Sequence, residues 1–174
     1  HNAMNALAAC AVAWRAAIPG DVAARALAQF RGAGRRMEFK GSYHGADVYD
    51  DYAHHPGEMH ALLEAARTMG YQRIICAFQP HTYTRTKALF SDFVRELKTV
   101  DLPVLTDIYA ARESNTVGIS SQDLAAQIPG SVYCPGLPDV TRFLRENARP
   151  GDLILTVGAG DIYKAGDSLL SEMK

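Results

Sequence analysis

The sequence predicts an α/β fold with a Rossmann-like, doubly wound and mainly parallel sheet that begins at about residue 35. From there to the end of the chain, strand-like and helix-like segments alternate, as they do in βαβ units. Residues 73–78 form a nearly continuous apolar run, which is typical of a parallel strand buried on both faces. Residues 1–34 are alanine-rich and purely helical in pattern, so we expect two parts, 1–34 and 35–174.

The first part is predicted to contain two helices. Residues 3–17 form the first, and Asp21 is expected to cap a second helix that ends near Phe30. The chain begins at His1 without an initiator methionine, and its first two helices have no strands of their own. We therefore expect the chain to be a fragment of a longer protein whose N-terminal part is missing.

Turn residues, apolar runs and helical periodicity predict the later elements. Pro56 suits the first turn of a helix, where its missing N–H is not needed, and Gly70 suits the end of that helix. Leu89, Phe93 and Leu97 recur at helical spacing. The predicted order is strands at 37–41 and 46–50, a helix at 56–70, a strand at 73–78, a helix at 85–98, a strand at 102–106, a helix at 120–127, a strand at 131–134, a helix at 138–147, a strand at 152–157 and a helix at 162–173.

Composition bounds the class of protein. A net charge of -1 gives no electrostatic reason to expect nucleic acid or an anionic membrane as a partner. Apolar runs are far shorter than the roughly 20 residues of a membrane-spanning helix, and the chain does not open on a recognisable secretory signal. The sequence favours no particular oligomeric state. Cys10, Cys76 and Cys134 are odd in number and widely spaced. We interpret them as buried thiols of a protein in the reducing cytoplasm.

Polar side chains cluster in loops that follow predicted strands. Residues 50–56 (Asp-Asp-Tyr-Ala-His-His-Pro) end one strand, and residues 79–86 (Gln-Pro-His-Thr-Tyr-Thr-Arg-Thr) follow the next. A third polar loop, 109–113, comes after the strand that follows. Because ligands of open α/β sheets bind beyond the carboxyl ends of the strands, we expect these loops to face one crevice and to contact a ligand.

Two other interpretations of the polar residues are weaker. Asp50, Asp51, His54 and His55 carry metal-ligating atoms, but adjacent strand residues point to opposite faces and no His-x-x-x-His or Cys-x-x-Cys spacing accompanies them. One histidine and one aspartate could instead cap the helix that begins at Pro56.

A glycine pair after the last predicted strand partly matches a dinucleotide fingerprint. Gly158-Ala159-Gly160-Asp161 opens a helix, but Tyr163 stands where the third glycine belongs. A nicotinamide-dependent oxidoreductase is therefore disfavoured. We interpret the glycines as a tight turn that leaves Asp161 at the N-terminus of the helix.

Arg85 lies where a helix is predicted to begin. A cation opposes the helix dipole at that end, so its presence favours an anionic ligand, such as a carboxylate or phosphate. An arginine that merely faces solvent is the alternative. His81, Tyr83 and Thr84 add hydrogen-bond donors beside it.

Six motifs follow one another along the chain: His1-Asn2-x-x-Asn5-Ala6-Leu7-Ala8-Ala9, Arg36-x-Glu38, residues 51–56, Gln79-Pro80-His81-x-Tyr83-x-Arg85-Thr86, residues 107–111 and residues 158–162. Taken in this order, they resemble the motifs of the Mur ligases over essentially the whole chain. Tyr52 and residues 109–111 are most similar to the members that join L-alanine to UDP-N-acetylmuramate in peptidoglycan synthesis. A tripeptide-recycling member shares the Asp-x-x-His-His-Pro pattern and is the nearest alternative, and a non-catalytic ligand-binding module is another.

The resemblance implies a three-domain ATP-dependent ligase. Residues 1–34 would end its central ATPase domain, and residues 35–174 would form its C-terminal domain. ATP would phosphorylate the muramyl carboxylate, and the amine of L-alanine would attack the acyl phosphate. The chain contains no Gly-x-x-Gly-Lys-Ser/Thr phosphate loop, and magnesium ligands are expected in the missing central domain. The fragment alone is therefore expected to be inactive, and no catalytic residue is assigned to it.

The resemblance also implies roles for individual residues. Asn2 and Asn5 are expected to contact adenine, and Arg36 and Asp51 to complete the nucleotide site, Asp51 through the ribose.

The amino-acid pocket is expected to involve Tyr52, His54, His81 and Arg85, with Arg85 holding the carboxylate of alanine. Thr82 stands where many relatives carry an arginine, which removes one positive contact from the expected site.

Overall fold

The computed structural model describes residues 2–30 and 32–171, and the chain divides into two compact units between residues 33 and 34. The first unit contains α1 (Asn2–Arg15) and α2 (Gly20–Gln29). Asp21 does not cap α2 as predicted, because Pro19 precedes the helix and places Asp21 inside its first turn. There its carboxylate accepts a hydrogen bond from Arg25, one turn further on, at 2.6 Å.

The second unit alternates strands and helices in the predicted order. The predicted helix at 162–173 ends, in the described part of the chain, at Ser171. The elements are β1 (Glu38–Tyr43), β2 (Ala46–Asp51), α3 (Pro56–Arg67), β3 (Arg73–Phe78), α4 (Tyr83–Ala88), α5 (Phe90–Leu97), β4 (Leu102–Leu105), α6 (Ser121–Ala125), β5 (Val132–Tyr133), α7 (Leu137–Asn147), β6 (Asp152–Val157) and α8 (Tyr163–Ser171).

The described strands form one sheet in the order β1-β2-β6-β3-β4-β5. Every neighbouring pair is parallel except β1 with β2, which confirms the doubly wound, mainly parallel fold. Apolar residues of β3 and β6 are divided between two cores. One core contains Met59 of α3 and Phe93 of α5, and the other contains Val140 of α7 and Leu169 of α8. Helices therefore cover both faces, as a βαβ sheet requires.

The predicted helix at 85–98 is wrong in one respect, because it is two helices. The chain leaves helical geometry at Leu89, where φ is -110° and ψ is 21°. This break separates α4 from α5, in which Phe93 and Leu97 are fully buried. Periodicity could not reveal it, since the apolar spacing of residues 89–97 continues a helical pattern that also fits residues 83–88.

The prediction of three buried thiols is only partly correct. Cys76 and Cys134 are buried, whereas Cys10 is exposed on α1. Burial raises the pKa of the Cys76 thiol to about 12, so this thiol stays protonated at neutral pH. No helix formed by residues 2–30 and 32–171 combines the length and apolar character needed to cross a membrane.

Candidate functional site

The loops that follow β2, β3 and β4 meet beyond the carboxyl end of the sheet, as predicted. The rings of His54 and His81 lie 6.0 Å apart, and the ring of His81 stacks on that of Tyr109 at 5.6 Å. Main-chain bonds join the second and third loops, since Tyr109 N donates to Pro80 O at 2.8 Å and Thr82 N donates to Tyr109 O at 2.9 Å. Main-chain hydrogen bonds therefore join the second and third loops, and we call the space that the three loops face the crevice.

Four rings form an aromatic row along this crevice: Tyr52, His54, His81 and Tyr109. Tyr52 and His54 meet edge-on, with ring centroids 5.4 Å apart. The two tyrosines at the ends are 38% and 39% exposed, while both histidines are partly buried. These rings offer a small ligand aromatic faces to pack against and imidazole nitrogens for hydrogen bonds.

Arg85 is the third residue of α4, which begins after Thr82. The helix is so short that Arg85 lies in its last turn, so the argument from the helix dipole does not hold. Among the described residues, Arg85 Nη1 and His81 Nδ1 are buried and have no hydrogen-bond partner. Buried polar atoms are normally paired, so these two favour a ligand that accepts from the guanidinium.

A glutamate from the third loop secures the start of α4. Thr84 donates to Glu113 through its main-chain N, at 3.0 Å, and through its hydroxyl, at 2.5 Å. These hydrogen bonds lower the pKa of Glu113 below its ordinary value. Glu113 thus fixes the helix that carries Arg85. Sequence reasoning marked this loop as polar but missed the contact, because nothing local to residue 113 indicates its partner.

Asp51 shapes the loop that carries Tyr52. Its carboxylate accepts from Met37 N at 2.9 Å and from Ala53 N at 2.8 Å. The carboxylate is buried, and burial raises its pKa above the ordinary value even though both hydrogen bonds oppose the rise. Each carboxylate oxygen retains a lone pair that can accept from a ligand hydroxyl.

Arg36, which the sequence analysis assigned to the nucleotide site, is exposed beside this loop. Its guanidinium carbon lies 5.8 Å from the Tyr52 ring centroid, and one of its nitrogens lies 4.0 Å from Glu58 Oε1. This long, half-exposed ion pair constrains the side chain weakly, so Arg36 remains available for an anion.

Arg35 is the residue that sequence reasoning missed. Its Nε donates to Asp50 Oδ2 at 2.7 Å, and its terminal nitrogens donate to Gly158 O at 2.7 Å and Gly160 O at 3.1 Å. It therefore connects the ends of β2 and β6. The sequence contains no signal for this role, since the carbonyl groups belong to residues more than 100 positions away.

The glycine loop after β6 is held by Gln79. The side-chain oxygen of Gln79 accepts from Asp161 N at 2.9 Å and from Ile162 N at 3.2 Å. Its side-chain nitrogen donates to Asp161 Oδ1 at 3.0 Å. These contacts agree with the interpretation of residues 158–161 as a tight turn.

The histidine pair partly serves the start of α3. His55 is the N-cap residue, and its ring nitrogen accepts from Gly57 N at 3.3 Å. His54 N donates to Glu58 Oε2 at 2.9 Å. Capping thus accounts for His55 but leaves the ring of His54 in the aromatic row. The described residues contain no group of three or more His, Cys, Asp or Glu side chains arranged to hold a metal ion.

The two asparagines predicted to contact adenine belong to the first unit. Asn5 lies exposed on α1. The backbone of Asn2 begins α1, but its side chain lies outside the described part of the chain. The second unit therefore brings together Arg36, Asp51, Tyr52, His54, His81 and Arg85, and the asparagine assignment stays a prediction.

Stability should depend on pH through His81. Burial lowers the pKa of His81 below its ordinary value of 6.5, and the charge of Arg85 lowers it further. The unfolded chain then binds the proton more readily, so the stabilising contribution present above pH 6.5 is lost as the pH falls through the folded-state pKa. We expect urea unfolding between pH 8 and pH 5 to show a smaller pH dependence in His81→Gln than in the wild type. An NMR midpoint for His81 at or above 6.5 would contradict this.

Comparison with known proteins agrees with the geometry. The family model described as Mur ligase, glutamate ligase domain, matches residues 35–160. UDP-N-acetylmuramate--L-alanine ligase of Caldanaerobacter subterraneus subsp. tengcongensis is 46% identical over 178 residues, which cover 100% of this chain and 39% of that protein. The protein of the same name from Anaeromyxobacter sp. is 45% identical, over 98% of this chain and 38% of its own length.

A solved structure gives the same result. UDP-N-acetylmuramate-alanine ligase from Thermotoga maritima superimposes with a TM-score of 0.79 and 25% identity, covering 99% of this chain and 37% of that one. The chain spans about 39% of the length of the first curated relative that it matches. From the family match, which extends over most of the second unit, we conclude that this chain belongs to the Mur ligase family.

Proposed function

We propose that this chain is the C-terminal part of an ATP-dependent carbon–nitrogen ligase that joins L-alanine to UDP-N-acetylmuramate in peptidoglycan synthesis. The observation that carries the proposal is the shared name of relatives 43–46% identical over at least 98% of the chain. The buried thiols Cys76 and Cys134 are consistent with the reducing cytoplasm, where we place the ligase.

In this proposal the crevice of the second unit binds L-alanine. The guanidinium of Arg85 would donate to the carboxylate, because its buried Nη1 has no partner among the described residues and a carboxylate oxygen supplies an acceptor. Tyr52, His54 and His81 would surround the small side chain and the amine. The imidazole of His81 would be neutral at pH 7, since burial and Arg85 lower its pKa.

The neighbouring loop would complete a nucleotide site. Asp51 would accept from the ribose of ATP through the remaining lone pairs of its carboxylate, and Arg36 would face the phosphates. Asn2 and Asn5 would read the adenine edge, because an amide combines a donor and an acceptor. Because this chain contains no phosphate-loop motif, we expect it to bind ATP weakly on its own.

ATP supplies the phosphoryl group that activates the muramyl carboxylate, and the residues of this chain position the amine that then attacks. Holding the two reactants together contributes through orientation, and cationic groups stabilise developing negative charge. In the proposed ligase the ligands of the magnesium ion belong to the central domain, as the resemblance implies.

The assay that tests the proposal uses the protein extended through the coding sequence upstream of His1. Phosphate release should require ATP, UDP-N-acetylmuramate and L-alanine together. Turnover with a tripeptide in place of L-alanine would instead establish the recycling ligase. An extended protein that binds these ligands but turns over neither amino acid nor peptide would indicate a non-catalytic module.

A further inference from the structure

Arg35 lies at the junction of three segments of the candidate site. Its main-chain O accepts from Tyr52 N at 2.8 Å, and its main-chain N donates to Glu38 Oε2 at 2.7 Å. The guanidinium carbon lies 5.0 Å from the Tyr52 ring centroid and 4.7 Å from that of Tyr163. The side chain thus contacts one ring from the loop after β2 and one from the start of α8.

The anchor of this arrangement is Asp50, which is 1% exposed at the end of β2. It accepts from Arg35 and, through its other oxygen, from the hydroxyl of Thr156 at 2.8 Å. All three guanidinium nitrogens of Arg35 donate to the protein, two of them to main-chain carbonyl groups. The guanidinium of Arg35 therefore makes its hydrogen bonds within the protein, and it can affect a ligand only through the residues that it contacts.

We propose that Arg35 is a positioning residue that locks the Tyr52 loop to the Gly158–Gly160 loop and thereby sets the amino-acid pocket. The inference rests on the proposed function, because it takes Tyr52 as part of that pocket. The main-chain bond fixes the backbone of Tyr52, and the guanidinium fixes its ring between Arg35 and His54.

A lysine cannot reproduce this geometry. Its single ammonium group can keep the charge contact with Asp50, but it lacks the planar fork that donates to two carbonyl groups while its central carbon lies within 5.0 Å of both ring centroids. Arg35→Lys therefore removes the contacts with the carbonyl groups and the rings while it preserves the buried ion pair. The variant is for this reason more informative than a truncation of the side chain.

The chain offers a matched control at the opposite end of the sheet. Arg73 at the start of β3 donates to buried Asp152 at 2.6 and 3.0 Å and to Asn147 O at 2.8 Å. The side chains of Arg35 and Arg73 are both 24% exposed, and their aspartate partners are 1% and 3% exposed. Arg73→Lys thus perturbs a similar ion pair far along the strands from the crevice.

The experiment measures kcat and KM for L-alanine in the upstream-extended protein, in both lysine variants. We expect KM for L-alanine to rise about tenfold in Arg35→Lys with kcat changed less than about twofold, and both to stay near the wild type in Arg73→Lys. Equal effects of the two variants, or no rise in KM, would overturn the proposal. If Arg35→Lys does not fold, Tyr163→Leu removes one ring beside the guanidinium and should raise the same KM to a smaller extent.

A second readout separates this proposal from the proposed function. In the 174-residue chain with labelled tyrosines, the ring resonances of Tyr52 and Tyr163 should shift in Arg35→Lys and not in Arg73→Lys. If the wild-type ligase shows no dependence on L-alanine, the proposed function fails, and these resonances alone decide the role of Arg35. Unchanged resonances would disprove it.

Discussion

Replacing Arg85 with alanine should lower kcat/KM for L-alanine by about 10²–10³-fold in the upstream-extended protein, because truncating one partner of a buried charge pair costs several kcal/mol. The expectation follows from the buried Nη1 of Arg85, which finds no acceptor among the described residues. If the substrate carboxylate is that acceptor, removing the guanidinium of Arg85 leaves the negative charge of the substrate without its main counter-ion.

Lys87→Ala is the matched control for this variant. Lys87 belongs to the same short helix, carries the same charge and is exposed. Its removal should change kcat/KM by less than about twofold, since exposed charges contribute little. Arg85→Lys should recover only part of the activity, because an ammonium group lacks the bidentate geometry. A full recovery by lysine, or an equal loss in Lys87→Ala, would show that α4 contributes only general positive charge.

The sequence predicted the parts of the fold that depend on burial. The limits of β3 and β6 agree with the prediction to the residue, because central parallel strands produce continuous apolar runs between polar turns. The break at Leu89 and the position of Asp21 could not be predicted, since both depend on one residue's backbone angles within an otherwise helical pattern.

The candidate site could be located from sequence, but its internal contacts could not. Polar residues after successive strands indicated a common crevice, because the carboxyl ends of parallel strands share one edge. The roles of Arg35 and Glu113 could not be predicted, since each acts through partners that are distant in sequence. Arg35 also has a φ of 56°, a left-handed conformation that no local pattern indicated.

Gly160→Ala should destabilise the second unit by about 3 kcal/mol, because the new methyl group would overpack a buried turn and disrupt its hydrogen bonds. A Cβ at this position would clash with Gln79 Oε1 and would lie 2.7 Å from Tyr109 Cγ. Both neighbours are constrained. Gln79 Oε1 accepts the two main-chain N–H groups that open the turn before α8, and the Tyr109 ring stacks on His81.

The predicted loss of stability therefore arises from contacts that border the crevice. If Gln79 moves, Asp161 N and Ile162 N lose their acceptor, and if Tyr109 moves, His81 loses its stacking partner. Gly57→Ala is the control, since its Cβ would meet only His55 Nδ1 at 3.7 Å, an ordinary contact, and stability should change by less than about 1 kcal/mol. Urea unfolding of the two variants measures the difference. Equal stability of the two variants would contradict the prediction, because Gln79 and Tyr109 would then yield to the new methyl group without loss of stability.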